Sequence, residues 1–220
     1  MPDATLAQLD NIVCYPLADI AMEVSSHRAI AFQDIQLVLR LVLHVCQTGV
    51  PGDIIELGCA HGTTTLGIRK VMNLAKSDKK LHVCDSFKGL PKPTEEDWEP
   101  EVGSKTFHEG VFSIPQSDIL NNFATADLEP PIIHRGWFAE IQDYPDVLAF
   151  AFVDGDLYQS IWDGLTAVYP RMSPGGIIVV HDYRYPPLPG AKKACDAFFA
   201  AKPEPVTPRA DSAVIVKGQP

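Results

Sequence analysis

Five short stretches carry residues whose types and spacing can do chemistry. The first is Glu56-Leu57-Gly58-Cys59-Ala60-His61-Gly62. A glycine at 58 permits a sharp turn and lets a ligand approach the backbone. Thr63-Thr64-Thr65 then opens a helical pattern, whose first N–H groups lack partners within the helix and can face that ligand. The second is Asp85-Ser86, with Asp85 27 positions after Gly58, room for one helix and one strand. An acid ending the second strand of a nucleoside-binding α/β fold takes ribose hydroxyls; a lone strand-end aspartate is otherwise a helix cap or turn residue. The third, Gly136-Trp137, walls an adenine or a substrate, or packs in the core. The last two are Asp154-Gly155-Asp156 and His181-Asp182. If their strands are neighbours, about 4.8 Å apart, Asp154, His181 and Asp182 converge. Carboxylates that share a rim call for a divalent cation, or for hydrogen bonds to solvent, backbone and an amine.

The glycine spacing narrows the ligand. A dinucleotide loop reads G-x-G-x-x-G, with backbone room for a pyrophosphate. Here position 60 is alanine and the pattern is G-x-x-x-G, which suits a ligand without a pyrophosphate.

These residues need elements to hold them. The expected order is a helix from Ser25 or Ser26 to about Gln47, a strand Asp53–Leu57, a helix from Thr63 to about Lys76, and a strand Leu81–Asp85. Residues 94–117 hold acids, prolines and aromatics with little periodicity, and read as a lid insert. A short helix at Ser117–Phe123, a strand at Pro131–His134 and a short helix near Ala139–Gln142 follow. Leu148–Val153 and Gly176–Val180 are wholly apolar and read as central strands, with Ser173–Gly176 a turn. Helices at Gln159–Tyr169 and Gly190–Ala201 and a closing hairpin of Pro205–Thr207 and Ser212–Lys217 complete the chain. A short helix at Pro2–Asn11 and an apolar patch at Ile20–Val24 precede all of this. The alternation predicts a single α/β domain over 1–220, a doubly wound, mostly parallel seven-stranded sheet with a helical N-terminal extension over 1–50. Every motif above falls at a strand's carboxyl end, where such sheets bind ligands.

The 220 residues are 46% hydrophobic and 21% charged, the balance of a globular protein. The net charge of −10 argues against a nucleic-acid partner, which would need a basic surface. Five scattered cysteines without a C-x-x-C suggest reduced thiols in a cytoplasm. No signal peptide and no apolar run long enough to span a membrane is expected. The sequence leaves a homo-oligomer open.

Taken together, Glu-Leu-Gly-Cys-Ala-His-Gly at 56–62, Val-Cys-Asp-Ser-Phe-Lys-Gly-Leu-Pro at 83–91, Phe-Val-Asp-Gly-Asp-Leu-Tyr-Gln-Ser at 152–160, Met-Ser-Pro-Gly-Gly at 172–176 and Val-His-Asp-Tyr at 180–183 resemble the macrocin O-methyltransferase family of class I methyltransferases. The similarity spans roughly 28–200. It implies S-adenosylmethionine and magnesium as cofactors, and a hydroxyl of a small metabolite, a sugar or glycoside, as acceptor. Glu56, Gly58 and Gly62 would form the cofactor loop, and Asp85 with Ser86, Gly136, Trp137 and Asp154 would complete the cofactor site. Asp154 and Asp182 would hold the metal and assist transfer. The chain departs from the family in one place: two consecutive acids are replaced by His181-Asp182. Magnesium prefers oxygen, whereas imidazole suits manganese, iron or zinc. Either Asp154, His181 and Asp182 together hold the ion, or Asp154, Asp182 and waters do, or no metal is used. In the last case His181 is the best-placed general base for an N- or O-methyltransferase, ahead of His61, His108 and His134. A non-catalytic S-adenosylmethionine-binding module is the remaining alternative.

Overall fold

The computed structural model describes residues 15–25, 30–98 and 106–218. Helices α1 (Tyr15–Ser25) and α2 (Phe32–Gln47) lead into β1 (Asp53–Leu57), α3 (Thr63–Leu74) and β2 (Leu81–Asp85). A 3-10 turn at Glu95–Asp97 precedes α4 (Gln116–Thr125), β3 (Ile132–Arg135), β4 (Leu148–Val153) and α5 (Tyr158–Val168). Then come β5 (Met172–Val180), α6 (Pro189–Phe199), β6 (Thr207–Arg209) and β7 (Ser212–Val216).

The seven strands form one sheet in the order β3-β2-β1-β4-β5-β7-β6. The five strands from β3 to β5 are parallel, and β7 and β6 close the edge antiparallel. The strand order reverses between β1 and β4, so a crevice must open beyond their carboxyl ends. Alternation along each strand feeds two cores. Ile54, Val83, Phe152 and Val179 face a layer built from α1, α2 and α3. Ile55, Leu57, Val153 and Val180 face α5 and α6. Buried on both sides, β4 has no polar residue, as the sequence required.

The structure corrects several boundaries. Helix α2 begins at Phe32, with Ala31 as a cap that offers no side-chain bond, rather than at Ser25 or Ser26; Ser25 instead closes α1. Residues 139–142 form no helix: Glu140 N–H donates to Trp137 O at 2.8 Å in a turn. Ser173–Gly176 belongs to β5, because Gly175 and Gly176 exchange backbone bonds with Lys217 at 2.9 and 2.8 Å and so extend the ladder. The hairpin's first strand lies at Thr207–Arg209, later than Pro205–Thr207. The expected helix at Pro2–Asn11 lies outside the described residues.

Candidate active site

The crevice at the switch point is a cavity of about 500 Å³. Its inner end is the glycine loop between β1 and α3. Gly58 has φ +86°, and a Cβ there would lie 2.0 Å from the Asp154 carbonyl oxygen. The parallel neighbours β1 and β4 run on side by side here, and the chain at Asp154 lies too close for any side chain at position 58. Ala60, where a dinucleotide loop carries its middle glycine, also takes positive φ (46°).

Asp85, at the end of β2, is bound to this loop. Its Oδ2 accepts from Cys59 N–H at 2.9 Å and Ala60 N–H at 3.4 Å, and its Oδ1 from Phe87 N–H at 2.7 Å. The carboxylate therefore fixes the loop's shape while still lining the cavity. Ser86 beside it is buried and accepts Lys88 N–H at 3.0 Å.

Glu56 is 1% exposed. Its carboxyl accepts the Thr65 hydroxyl from the first turn of α3. Burial pushes its pKa up to about 8; the Thr65 bond opposes this, and the negative charges of Asp154 and Asp85 add to it.

The outer rim is acidic. Asp154 and Asp156 leave β4, and His181 and Asp182 leave β5, its parallel neighbour. His181 Nδ1 lies 3.1 Å from Asp154 Oδ1 and 3.1 Å from Asp182 Oδ2. Both oxygens lie off the line of a ring N–H, so this buried nitrogen makes no aligned hydrogen bond. One donor atom from each of the three side chains lies within 4.8 Å of the others. Burial opposes a charge on His181, but Asp154 and Asp182 override it and hold its pKa well above the ordinary range. Burial likewise raises Asp182, against the pull of His181. Burial, then repulsion from Asp154 and Asp182, drives Asp156 well above the carboxylate range.

Of the residues singled out in the sequence, Glu56, Gly58, Asp85, Ser86, Trp137, Asp154, His181 and Asp182 all line this cavity. Gly62 and Gly136 do not. Gly62 takes φ +75°, and a Cβ there would meet Ile119 Cγ1 at 2.4 Å, so its backbone conformation and α4 packing both call for glycine. His181 is the cavity's histidine among the described residues. His61 pairs with Asp118 at 3.4 Å, His108 bonds Glu109 O at 3.0 Å, and His134 lies between His82 and Asp143, at 3.0 and 2.9 Å.

Several lining residues had been given no role in the site: Asp156, named in its stretch without one, and Phe107, Phe112, Tyr185, Asp163 and Asp211. Asp156 carried a signal, since it stands two places from Asp154. Asp211 carried none: it sits in the β6–β7 turn, held there because Asp34 Oδ1 of α2 accepts Asp211 N–H at 3.1 Å and the Ser212 hydroxyl at 2.7 Å. Among the described residues, no helix is long and apolar enough to cross a membrane.

Comparison with known proteins agrees with this geometry. A family model for macrocin O-methyltransferase (TylF) matches residues 24–207. Demethyldecarbamoylnovobiocin O-methyltransferase of Streptomyces niveus is 31% identical over 185 residues, covering 80% of this chain and 69% of that relative. The 8-demethyl-8-(2,3-dimethoxy-alpha-L-rhamnosyl)-tetracenomycin-C 4'-O-methyltransferase of Streptomyces olivaceus is 31% identical over 154 residues, 63% of this chain and 56% of its own length. The chain thus spans just over half to about two thirds of these curated relatives. The solved O-methyltransferase NovP superposes with a TM-score of 0.75 at 29% identity, over 86% of this chain and 81% of that one. With a family match over most of its length and the same class I sheet, the chain belongs to the macrocin O-methyltransferase family, a family of methyltransferase enzymes.

Proposed function

We propose that this protein transfers a methyl group from S-adenosylmethionine to a hydroxyl of a small glycosylated metabolite, with a divalent cation at the acceptor. The observation that carries the reading is the convergence of Asp154, His181 and Asp182 on the cavity that Gly58 and Asp85 also line. S-adenosylmethionine supplies the methyl as an electrophile on a sulfonium. Gly58 and Asp85 line the cavity where the donor would sit, and Asp85, at the end of β2, is the candidate to take a ribose hydroxyl. The sugar acceptor is supported by the Streptomyces olivaceus relative, named for a rhamnosyl 4'-hydroxyl. Phe107, Phe112 and Tyr185 give the cavity an aromatic wall on which a sugar ring or aglycone can lie.

The rim residues fit a cation. They supply two carboxylates and one imidazole at ligand spacing, and the imidazole nitrogen is buried without an aligned partner. A bound divalent ion lowers the pKa of an acceptor oxygen and orients it. The nitrogen donor tilts the preference from magnesium toward manganese, iron or zinc. Asp154 and Asp182 repel the carboxylate of Asp156, and a cation at this rim would offset that repulsion. The same electrostatics disfavour His181 as an unaided general base. Without an ion, its two carboxylate neighbours favour the protonated imidazole, which has no lone pair with which to take a proton; a cation at Asp154 and Asp182 would reverse that field and displace the proton, freeing the nitrogen to ligate.

The test is calorimetric titration of S-adenosylmethionine into metal-stripped protein, alone and with magnesium or manganese, followed by labelled methyl transfer to 6-deoxyhexosides such as 4-nitrophenyl α-L-rhamnoside. Donor binding with transfer that needs the ion supports the reading. Full transfer in chelator, abolished in His181→Ala, selects the metal-free base. Donor binding with no transfer to any acceptor selects a binding module.

A further inference from the structure

We infer that Asp97 is a positioning residue for the acceptor, clamping the segment after β2 onto the exit of β4. This rests on the methyl-transfer reading above. Helix α5 starts at Tyr158 with Leu157 at its N-cap, and leucine has no acceptor to offer the free N–H groups. The missing cap comes from 61 residues upstream: Tyr158 N–H donates to Asp97 Oδ1 at 2.7 Å. The other oxygen, Oδ2, accepts Thr94 N–H at 2.8 Å and the Thr94 hydroxyl at 2.9 Å. One carboxylate thus joins the turn at Glu95–Asp97 to a helix N-terminus, where negative charge is favourable.

Helix α6 closes the joint from behind. A Cβ on Gly190 would lie 1.9 Å from Asp97 Oδ1 and 2.8 Å from Tyr158 N. One turn along, Lys193 Nζ donates to Glu96 O at 2.8 Å. The base of the segment is tied as well, by Leu90 N–H to Val111 O at 2.8 Å and Gly110 N–H to Leu90 O at 3.0 Å. Between these ties, Leu90, Leu157 and Leu188 form a buried cluster against which Phe107 and Val111 pack. Phe107 and Leu188 line the large cavity and Asp97 does not. Asp97 therefore acts through them, setting the aromatic wall relative to Asp154 and Asp156, which stand just before Leu157. It does not touch the glycine loop, so donor binding is independent of it.

The experiment compares wild type with Asp97→Ala, Asp97→Asn and Gly190→Ala. Amide hydrogen exchange is read at Leu157–Tyr158, S-adenosylmethionine Kd by calorimetry, and KM and kcat with 4-nitrophenyl α-L-rhamnoside. Asp97→Ala is expected to speed exchange at Tyr158 and raise acceptor KM about tenfold, the size of one lost charge-assisted bond, with donor Kd unchanged. Asp97→Asn keeps one oxygen for Tyr158 N–H but loses the charge and turns an NH2 toward Thr94 N–H, so it recovers only part of the loss. Alanine is the better helix former, so Gly190→Ala reproducing the Asp97→Ala effect isolates the clamp from helix stability. Unchanged exchange overturns the inference, as does faster exchange with unaltered acceptor KM, or an equal loss of donor affinity. If wild type methylates no acceptor, the methyl-transfer reading fails and the role of Asp97 in acceptor placement fails with it, while the exchange data still decide whether the clamp exists.

Discussion

The buried carboxyl of Glu56 makes stability fall with rising pH, and Glu56→Gln should remove that slope. Its pKa is about 8 in the native protein against 4.5 for an unhindered glutamate. Between these values the folded chain keeps a proton that the unfolded chain releases, so the native state loses ground as pH rises and levels off above the folded pKa. At about 1.4 kcal/mol per unit, this group alone costs about 3.5 kcal/mol between pH 5 and pH 8. In a chain of this size that is a change in melting temperature of roughly 7–14 °C. Glutamine keeps an oxygen for the Thr65 hydroxyl and does not titrate. Its own fixed cost shifts the whole curve without tilting it. The assay is thermal unfolding of both proteins from pH 5 to 9. The difference in melting temperature, variant minus wild type, should widen by that amount toward pH 8. Saturating S-adenosylmethionine should flatten the wild-type curve, because a cationic donor favours the ionised carboxylate. Parallel curves would refute the argument and show that Glu56 is ionised in the folded protein.

Gly58→Ala should lower the melting temperature by roughly 6–12 °C, from positive φ and a backbone overlap together costing about 3 kcal/mol, and should abolish donor binding in a calorimeter. Asp85→Ala strands the N–H groups of Cys59 and Phe87; chemical denaturation should show a loss of about 2–4 kcal/mol, and donor Kd should rise at least about tenfold. Asp182→Asn should weaken manganese binding by more than the roughly 10–100-fold typical of outer-sphere changes, read as loss of the metal heat, with donor Kd little altered. An unchanged metal heat would place the ion elsewhere.

Much of this site was legible because strand ends are local features. Gly58, Asp85, Asp154 and His181-Asp182 each sit where an apolar run stops, and parallel α/β topology sends all such stops to one edge. The 3.6-residue and two-residue patterns likewise revealed the helices from α2 onward and the strands of the sheet, β6 two residues out of place, whereas α1 (Tyr15–Ser25) showed only as an apolar patch at Ile20–Val24. Weak local signals failed for the same reason. Ala139–Gln142 has too few residues to nucleate a helix, and Ser173–Gly176 looks like a turn until Lys217 pairs with it across the sheet. Gly62 matched a glycine-turn pattern and does take positive φ, but its contact with Ile119, on a helix that packs from elsewhere, shows only in the fold.

The sequence by itself determined the fold class, the order of the strands' contributions and the chemical types on the rim, since these follow from periodicity and from which residues end each strand. Tertiary structure alone decided that Glu56 is buried enough to hold its proton near neutral pH, that His181 Nδ1 stands between two carboxylates without an aligned bond, and that Asp97 caps a helix 61 residues away. Burial, angle and long-range pairing depend on which elements pack together, and no local stretch of sequence encodes them.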